Sequence, residues 1–213
     1  MKSRGGLGQW REKEFLTELA SAAPAPGGGG GAAMAGALAA ALSSMVCNLT
    51  LGKERFAAQE AEVESVLVKA ERARERLLEL VQEDAAVFNS FMSCYKLPKA
   101  TEEEKAARTA AIRAAAKKAA EVPLAIARES FAVLELADEL VVCGNPGVIT
   151  DGACSGLLAR AALRCAEYNV RINLGLTKDA EWNAQVQAEL EAMLTQADAL
   201  EAKLLAVTDK ALA

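Results

Sequence analysis

The sequence contains no histidine, and its five cysteines are scattered along the chain without a CxxC pair. Histidine and paired cysteines are the usual zinc ligands, and histidine is the usual base beside a catalytic serine or cysteine. These absences predict a protein without a metal site, whose chemistry rests on carboxylates, lysine, amides and backbone groups. An odd number of scattered thiols also indicates a reducing compartment, so we expect a cytoplasmic protein.

Aromatic residues are also scarce, at 4% of the chain, whereas apolar residues, many of them alanine, make up 52%. Alanine favours helices, while strands are enriched in β-branched and aromatic residues, so the composition predicts an all-α fold. The 213 residues are enough to bury a large core, and no repeat or linker divides them. We therefore expect a single domain over residues 1–213, a bundle of about six or seven helices with long antiparallel neighbours.

Basic residues are in the minority, because the net charge is −5 and the isoelectric point is near 5.1. Proteins that bind a phosphate backbone carry an excess of basic residues, so we expect no nucleic-acid partner. Residues 1–14 are polar and charged, which predicts that no signal peptide is present.

Charged residues are missing altogether from Ala20 to Gly52, a stretch of thirty-three residues. A helix is predicted from about Gly30 to Leu49, with small side chains that let several helices approach it closely. The stretch is long enough to span a bilayer, but alanine and glycine drive insertion weakly, so we expect no membrane partner. Two interpretations of the glycine run before this helix stay open, an anion-binding turn and a bend that permits close packing.

Hydrophobic periodicity and helix-breaking residues predict the other helices. Thr101 and Glu104 form a capping box at the start of one of them, Pro123 begins another, and Gly175 stops a third. The predicted helices cover residues 10–22, 54–95, 101–121, 123–142, 150–173 and 179–209. The segment 54–95 is either one helix or two nearly continuous ones, and the fifth helix starts at residue 150 or 151.

Asp84 interrupts an apolar stripe on the predicted helix over residues 54–95. It lies at helical spacing from Leu77, Val81, Phe88 and Phe91. A carboxylate on an apolar face loses hydration, which raises its pKa towards the range useful for general acid/base catalysis. The alternative is a structural ion pair between Asp84 and an arginine of another helix.

Further along the chain, Asp151, Asn169 and Asn173 share one helical face, which could form the wall of a pocket. The alternative for Asp151 is a helix N-cap, and for the two asparagines it is a pair of interhelical hydrogen bonds. Lys53, just after the uncharged helix, would by default be a solvated surface residue.

Short motifs along the chain resemble, in their order, those of the cyclodeaminase/cyclohydrolase family of folate enzymes. They cover residues 15–20, 25–29, 44–50, 52–53, 84–88, 97–99, 101–105, 122–124, 144–145, 150–151 and 169–174. Two positions depart from the family pattern, since Thr150 replaces a usual serine and the turn after Asn145 lacks a second asparagine.

The resemblance implies an all-helical homodimer that handles a one-carbon unit between N5 and N10 of tetrahydrofolate. The chain has no room for a transferase half, and Gly30 and Gly31 are closer to the methenyltetrahydrofolate cyclohydrolase form of the family. Formimidoyltetrahydrofolate cyclodeaminase is the close alternative, and a helical interaction protein without activity is another. No cofactor or metal is implied beyond the folate substrate itself.

The resemblance also implies roles for individual residues. The family's acid/base aspartate corresponds to Asp84. The positions that correspond to substrate-binding residues are Gly27, Gly28, Gly29, Asn48, Lys53, Asn145, Asp151, Asn169 and Asn173.

Overall fold

The computed structural model describes residues 12–213, within which six α-helices and two short 3-10 helices occur and no strand is found. The α-helices are α1 (Glu12–Leu19), α2 (Gly28–Asn48), α3 (Glu60–Cys94), α4 (Glu102–Cys143), α5 (Ile149–Thr177) and α6 (Ala180–Leu212). The 3-10 helices, Glu54–Gln59 and Pro146–Val148, precede α3 and α5. The all-α bundle predicted from composition is confirmed. Residues 10 and 11 of the first predicted segment lie outside the described residues.

The uncharged stretch forms α2, which packs against α3, α4 and α5. Its small side chains allow this close packing: a Cβ at Gly36 would lie 2.9 Å from Ser130 Oγ and 3.1 Å from Leu77 Cδ1. Among the described helices α2 alone is long and apolar enough to cross a membrane, but 61% of its most apolar window is buried by the other helices. The central helix of a bundle has these same properties.

A hydrogen-bonded serine fixes α5 against α2. The buried Ser155 Oγ donates to the carbonyl of Ala39 at 2.7 Å and lies 2.8 Å from Ser43 Oγ. These contacts join the second turn of α5 to the C-terminal half of α2. Gly28 faces Asn169, so the two helices are antiparallel, and the C-terminal half of α5 lies beside the N-terminal end of α2.

α4 runs unbroken from Glu102 to Cys143, with Pro123 inside it. Its start has the predicted capping box between Thr101 and Glu104. The prediction of two helices divided before Pro123 was wrong. A proline removes one helical hydrogen bond, but the buried residues Ala120, Leu124 and others on both sides of it hold α4 in place by packing.

α5 continues past Gly175 to Thr177, and its C-cap, Lys178, has a left-handed backbone with φ of 58°. The predicted stop at Gly175 was therefore wrong. The end is fixed by α6, because Asn183 Nδ2 donates to the carbonyl of Leu174 at 2.9 Å. A side chain of the next helix thus satisfies a carbonyl near the end of α5, which a local glycine signal does not reveal.

Candidate active site

A cavity of about 320 Å³ opens between the first turn of α2 and the facing sides of α3, α4 and α5. Its apolar walls include Val87, Phe88, Phe91, Val122, Ile172 and Leu176. The polar side chains that line it are Asp84, Asn169 and Asn173, with Gly27, Gly28 and Gly29 at one edge. Asp84 is the one ionisable side chain among the described residues of this lining.

The carboxylate of Asp84 lies against the backbone of the first turn of α2. It accepts a hydrogen bond from the N–H of Gly30. A Cβ built on Gly29 would lie 2.2 Å from Asp84 Oδ1 and 2.8 Å from Oδ2, so only glycine leaves room for the carboxylate at this position. Within residues 12–213 Asp84 forms no ion pair, which argues against the structural alternative drawn from the sequence.

Burial raises the pKa of the Asp84 carboxyl above its ordinary value. The N–H of Gly30 acts in the opposite direction, as does the positive end of the α2 dipole. Burial is the larger effect, so the carboxyl gains and loses protons closer to neutral pH than an exposed aspartate does. The cavity therefore holds one acid/base group with no cationic side chain beside it in the described lining.

Asn169 and Asn173 form the opposite wall, on successive turns of α5. Asn169 Nδ2 donates to the carbonyl of Cys165 at 2.8 Å and packs over Gly28. Asn173 Nδ2 donates to the carbonyl of Asn169 at 2.8 Å and to that of Ala119, in α4, at 2.9 Å. The interhelical hydrogen bond that the sequence left open as an alternative is present at Asn173, which also lines the cavity, whereas the bond of Asn169 stays within α5.

Asn48, Lys53 and Asn145 lie at the far end of α2, whose 21 residues span about 30 Å. Lys53 Nζ and Asn145 Nδ2 both donate to the carbonyl of Leu49, so they cap the C-terminus of this helix. The structure does not bring these residues to the cavity of their own chain. Their role in binding substrate stays a prediction.

Asp151 also lies outside the cavity lining, in the first turn of α5. The N-cap of α5 is Val148, so the interpretation of Asp151 as an N-cap was wrong. A carboxylate in a first helical turn is favourable for the helix dipole.

The chain matches the family described as formiminotransferase-cyclodeaminase over residues 12–192. It belongs to this family. The methenyltetrahydrofolate cyclohydrolase of Methylorubrum extorquens is 45% identical over 190 residues, which cover 89% of this chain and 91% of that protein. The formimidoyltransferase-cyclodeaminase of Sus scrofa is 33% identical over 87% of this chain but only 34% of its own length.

The crystal structure of a formiminotetrahydrofolate cyclodeaminase from Thermotoga maritima has the same fold. It superimposes with a TM-score of 0.86 at 28% identity, and the match covers 96% of this chain and 98% of that one. The resemblance to the family found in the sequence motifs is therefore confirmed.

Sequence reasoning missed much of the apolar wall of the cavity in this member of the family. Ile172 and Leu176 lie at helical spacing from Asn169, so the pattern that selected the asparagines could have included them. Val122 gave no such signal, because it lies beside Pro123, where a break between helices was expected.

Proposed function

We propose that this protein is a methenyltetrahydrofolate cyclohydrolase, which hydrolyses 5,10-methenyltetrahydrofolate to 10-formyltetrahydrofolate. The observation that carries the proposal is a single half-buried carboxylate, Asp84, in an apolar cavity whose described lining has no other charge. The substrate's amidinium group is cationic, so it complements this carboxylate. A 45% identical relative of that name, matched over 91% of its length, supports the assignment.

Asp84 acts as the general base and then as the general acid in the proposed reaction. The carboxylate takes a proton from water as the water oxygen bonds to the carbon between N5 and N10. The C–N5 bond of the tetrahedral adduct then breaks, and Asp84 delivers a proton to N5. The hydroxyl oxygen becomes the formyl carbonyl on N10, and the second proton of the water is released to solvent.

The shape of the cavity suits the ring system of folate. Flat rings fit against Phe88, Phe91 and Val122, while Asn169 and Asn173 provide hydrogen bonds to the pterin. At about 320 Å³ the cavity holds the rings rather than the whole molecule, so the glutamate tail extends outside it.

Formimidoyltetrahydrofolate cyclodeaminase is the second candidate, favoured by the likeness to the Thermotoga maritima structure. In that reaction N10 attacks the formimino carbon and ammonia leaves, with the same acid/base group. Purified protein given each substrate in turn separates the two. We expect loss of the methenyl chromophore and no ammonia from the formimino compound; the reverse result would establish the second reaction instead.

A helical interaction protein without activity is the third candidate. It would turn over neither substrate, and folate would leave its melting temperature unchanged. A ligand that binds only the native state must raise that temperature, so a thermal-shift titration tests this candidate directly.

We propose further that the protein acts as a homodimer through the outer faces of α2 and α5. Leu38 and Met45 on the uncharged α2 are 54% and 42% exposed, and Leu157 and Tyr168 on α5 are 41% and 62% exposed. Exposed apolar side chains that recur on the outer faces of two adjacent helices favour association with a second copy. A second copy is also the available route by which Asn48, Lys53 and Asn145 could reach a folate bound about 30 Å away.

Light scattering tests the dimer, with an expected mass of twice the 22.3 kDa of one chain. Leu38→Arg should shift the protein to the monomer, because it places a charge in the proposed interface. Leu212→Arg, at an exposed position near the end of α6, is the matched control and should leave the dimer intact. A wild-type protein that runs at the monomer mass contradicts the proposal.

Gly29→Ala is expected to lower kcat about ten- to a hundredfold, because the added methyl group occupies the space of the Asp84 carboxylate. Gly31→Ala is the control: it makes the same change two residues later, where no atom lies within 4 Å of the new Cβ. Steady-state assays of both variants measure the effect. If they turn over substrate equally fast, the contact between Gly29 and Asp84 has no part in catalysis.

A further inference from the structure

Pro123 changes the hydrogen bonding of α4 at the cavity. In a regular helix the N–H of residue 123 would donate to the carbonyl of Ala119, four residues earlier. Proline has no N–H, so this carbonyl loses its donor within the helix. Asn173 Nδ2, from α5, donates to the same carbonyl at 2.9 Å. The side chain of α5 thus takes the place of the missing backbone N–H.

The hydrogen bonds of Asn173 also fix the orientation of its amide. Its two partners, the carbonyls of Ala119 and Asn169, can only accept hydrogen bonds. The atom that faces them must therefore be the NH2 group, and both of its hydrogens are used. Oδ1 is the polar atom that remains, and Asn173 lines the cavity together with Ala119.

We propose that Pro123 is a positioning residue for Asn173. By leaving the Ala119 carbonyl free, it anchors the amide of Asn173 so that Oδ1 is held in the cavity as an acceptor for an N–H of the folate ring system. This inference rests on the proposed function for the identity of the ligand. It assigns a role in binding to a proline that would otherwise be a defect in a buried helix.

Asn173 on α5 then selects for a ligand that carries a hydrogen-bond donor. The anchored amide cannot rotate to present its NH2 group without placing Oδ1 against the carbonyl oxygens of Ala119 and Asn169. The Ala119 carbonyl would also lose its side-chain donor, and a part-buried carbonyl without a partner is costly. A ring that offers an N–H at this point is bound, whereas an isosteric ring with an acceptor there would face the oxygen of Asn173. The pterin carries such N–H groups along one edge.

Pro123→Ala tests the proposal, because it returns an N–H that competes with Asn173 for the Ala119 carbonyl. KM should rise roughly five- to tenfold, the effect of losing about one hydrogen bond, while kcat stays within about twofold. Stability should not fall, because the cost of proline in a helix is removed. Pro98→Ala, in an exposed loop, is the matched control and should leave both constants unchanged.

A double-mutant cycle shows whether Pro123 acts through Asn173. Asn173→Ala alone should raise KM by a similar factor, and Pro123→Ala should add nothing in that background. If the two effects multiply, the proline acts by another route and the proposal is overturned. Should Pro123→Ala fail to fold, Asn173→Asp replaces it: this side chain has no N–H to donate, and wild-type KM in that variant would equally overturn the proposal.

A measurement without substrate separates failure of this inference from failure of the proposed function. The side-chain amide resonances of Asn173, assigned by their loss in Asn173→Ala, should shift and exchange faster with solvent in Pro123→Ala. Unchanged resonances would overturn the positioning role even in an active enzyme. A clear shift in a protein that turns over no methenyl compound would support the anchor while refuting the proposed function.

Discussion

Asp84→Asn is expected to lower kcat for methenyltetrahydrofolate hydrolysis by about 10²–10⁴-fold, the usual contribution of general acid/base catalysis. Asparagine keeps the shape of aspartate, which matters because the side chain fits directly over Gly29. The asparagine amide, however, cannot take a proton from water. Decay of the methenyl chromophore measures kcat, and circular dichroism shows whether the variant is folded. Near-wild-type turnover by a folded variant would remove Asp84 from the mechanism.

The stability of Asp84→Asn provides a second readout. Because burial raises the pKa of Asp84, the folded state holds the proton more tightly than the unfolded state does. Stability of the wild type therefore falls as pH rises through the interval between the unfolded and the folded pKa. Asparagine carries no charge, so at neutral pH the variant should melt no lower than the wild type. A large loss of stability would instead indicate a structural role for the carboxylate.

The pH profile of kcat/KM should also reflect the raised pKa of Asp84. The basic form of Asp84 starts the reaction, so the rate should increase with pH around a midpoint above the ordinary aspartate value of 3.8. This step should be absent from the residual activity of Asp84→Asn. If the step persists in the variant, it belongs to another group.

Leu77→Ala has the largest effect expected on stability, a loss of about 2–5 kcal/mol in the free energy of unfolding. Leu77 is fully buried and lies against α2, where a Cβ on Gly36 would be 3.1 Å from its methyl groups. Its truncation leaves a cavity that two backbones already in close contact cannot fill. Urea denaturation measures the loss.

Leu78→Ala is the control for this effect. It makes the same change at the next residue of α3, where the side chain is 40% exposed, so the expected loss is under about 1 kcal/mol. Equal losses at the two positions would show that the packing of Leu77 between α3 and α2 contributes no special stability.

The sequence was sufficient to select Asp84, because the evidence for it is local. A carboxylate at helical spacing from apolar residues faces the inside of the bundle in whichever way the helices are arranged. What the pattern could not show is the surface that the carboxylate meets. The contact with Gly29 depends on how α3 crosses α2, and that crossing is set by packing across the whole core.

The two wrong helix boundaries have a similar cause. Pro123 and Gly175 are strong local signals for a helix end, but contacts between helices keep α4 and α5 helical at these positions. Packing on both sides holds α4 through the proline, and Asn183 of α6 completes the last turn of α5 beyond the glycine. The family motifs also predicted Lys53 and Asn145 as substrate-binding residues together with Asp84. Within one chain, however, Lys53 and Asn145 lie at the C-terminal end of α2, whereas Asp84 lies at its N-terminal end.

The composition of α2 has a consequence for how the protein folds. Five of its 21 residues are glycine, each of which costs about 1 kcal/mol relative to alanine in a helix, and no ion pair compensates. Such a segment does not hold a helix in isolation, so α2 must become helical as α3, α4 and α5 close around it. The turn that receives the Asp84 carboxylate therefore exists only in the fully folded chain. The buried amides in the middle of α2, which are hydrogen-bonded within the helix, should exchange with solvent only through global unfolding, and activity should reappear during refolding together with the last cooperative step.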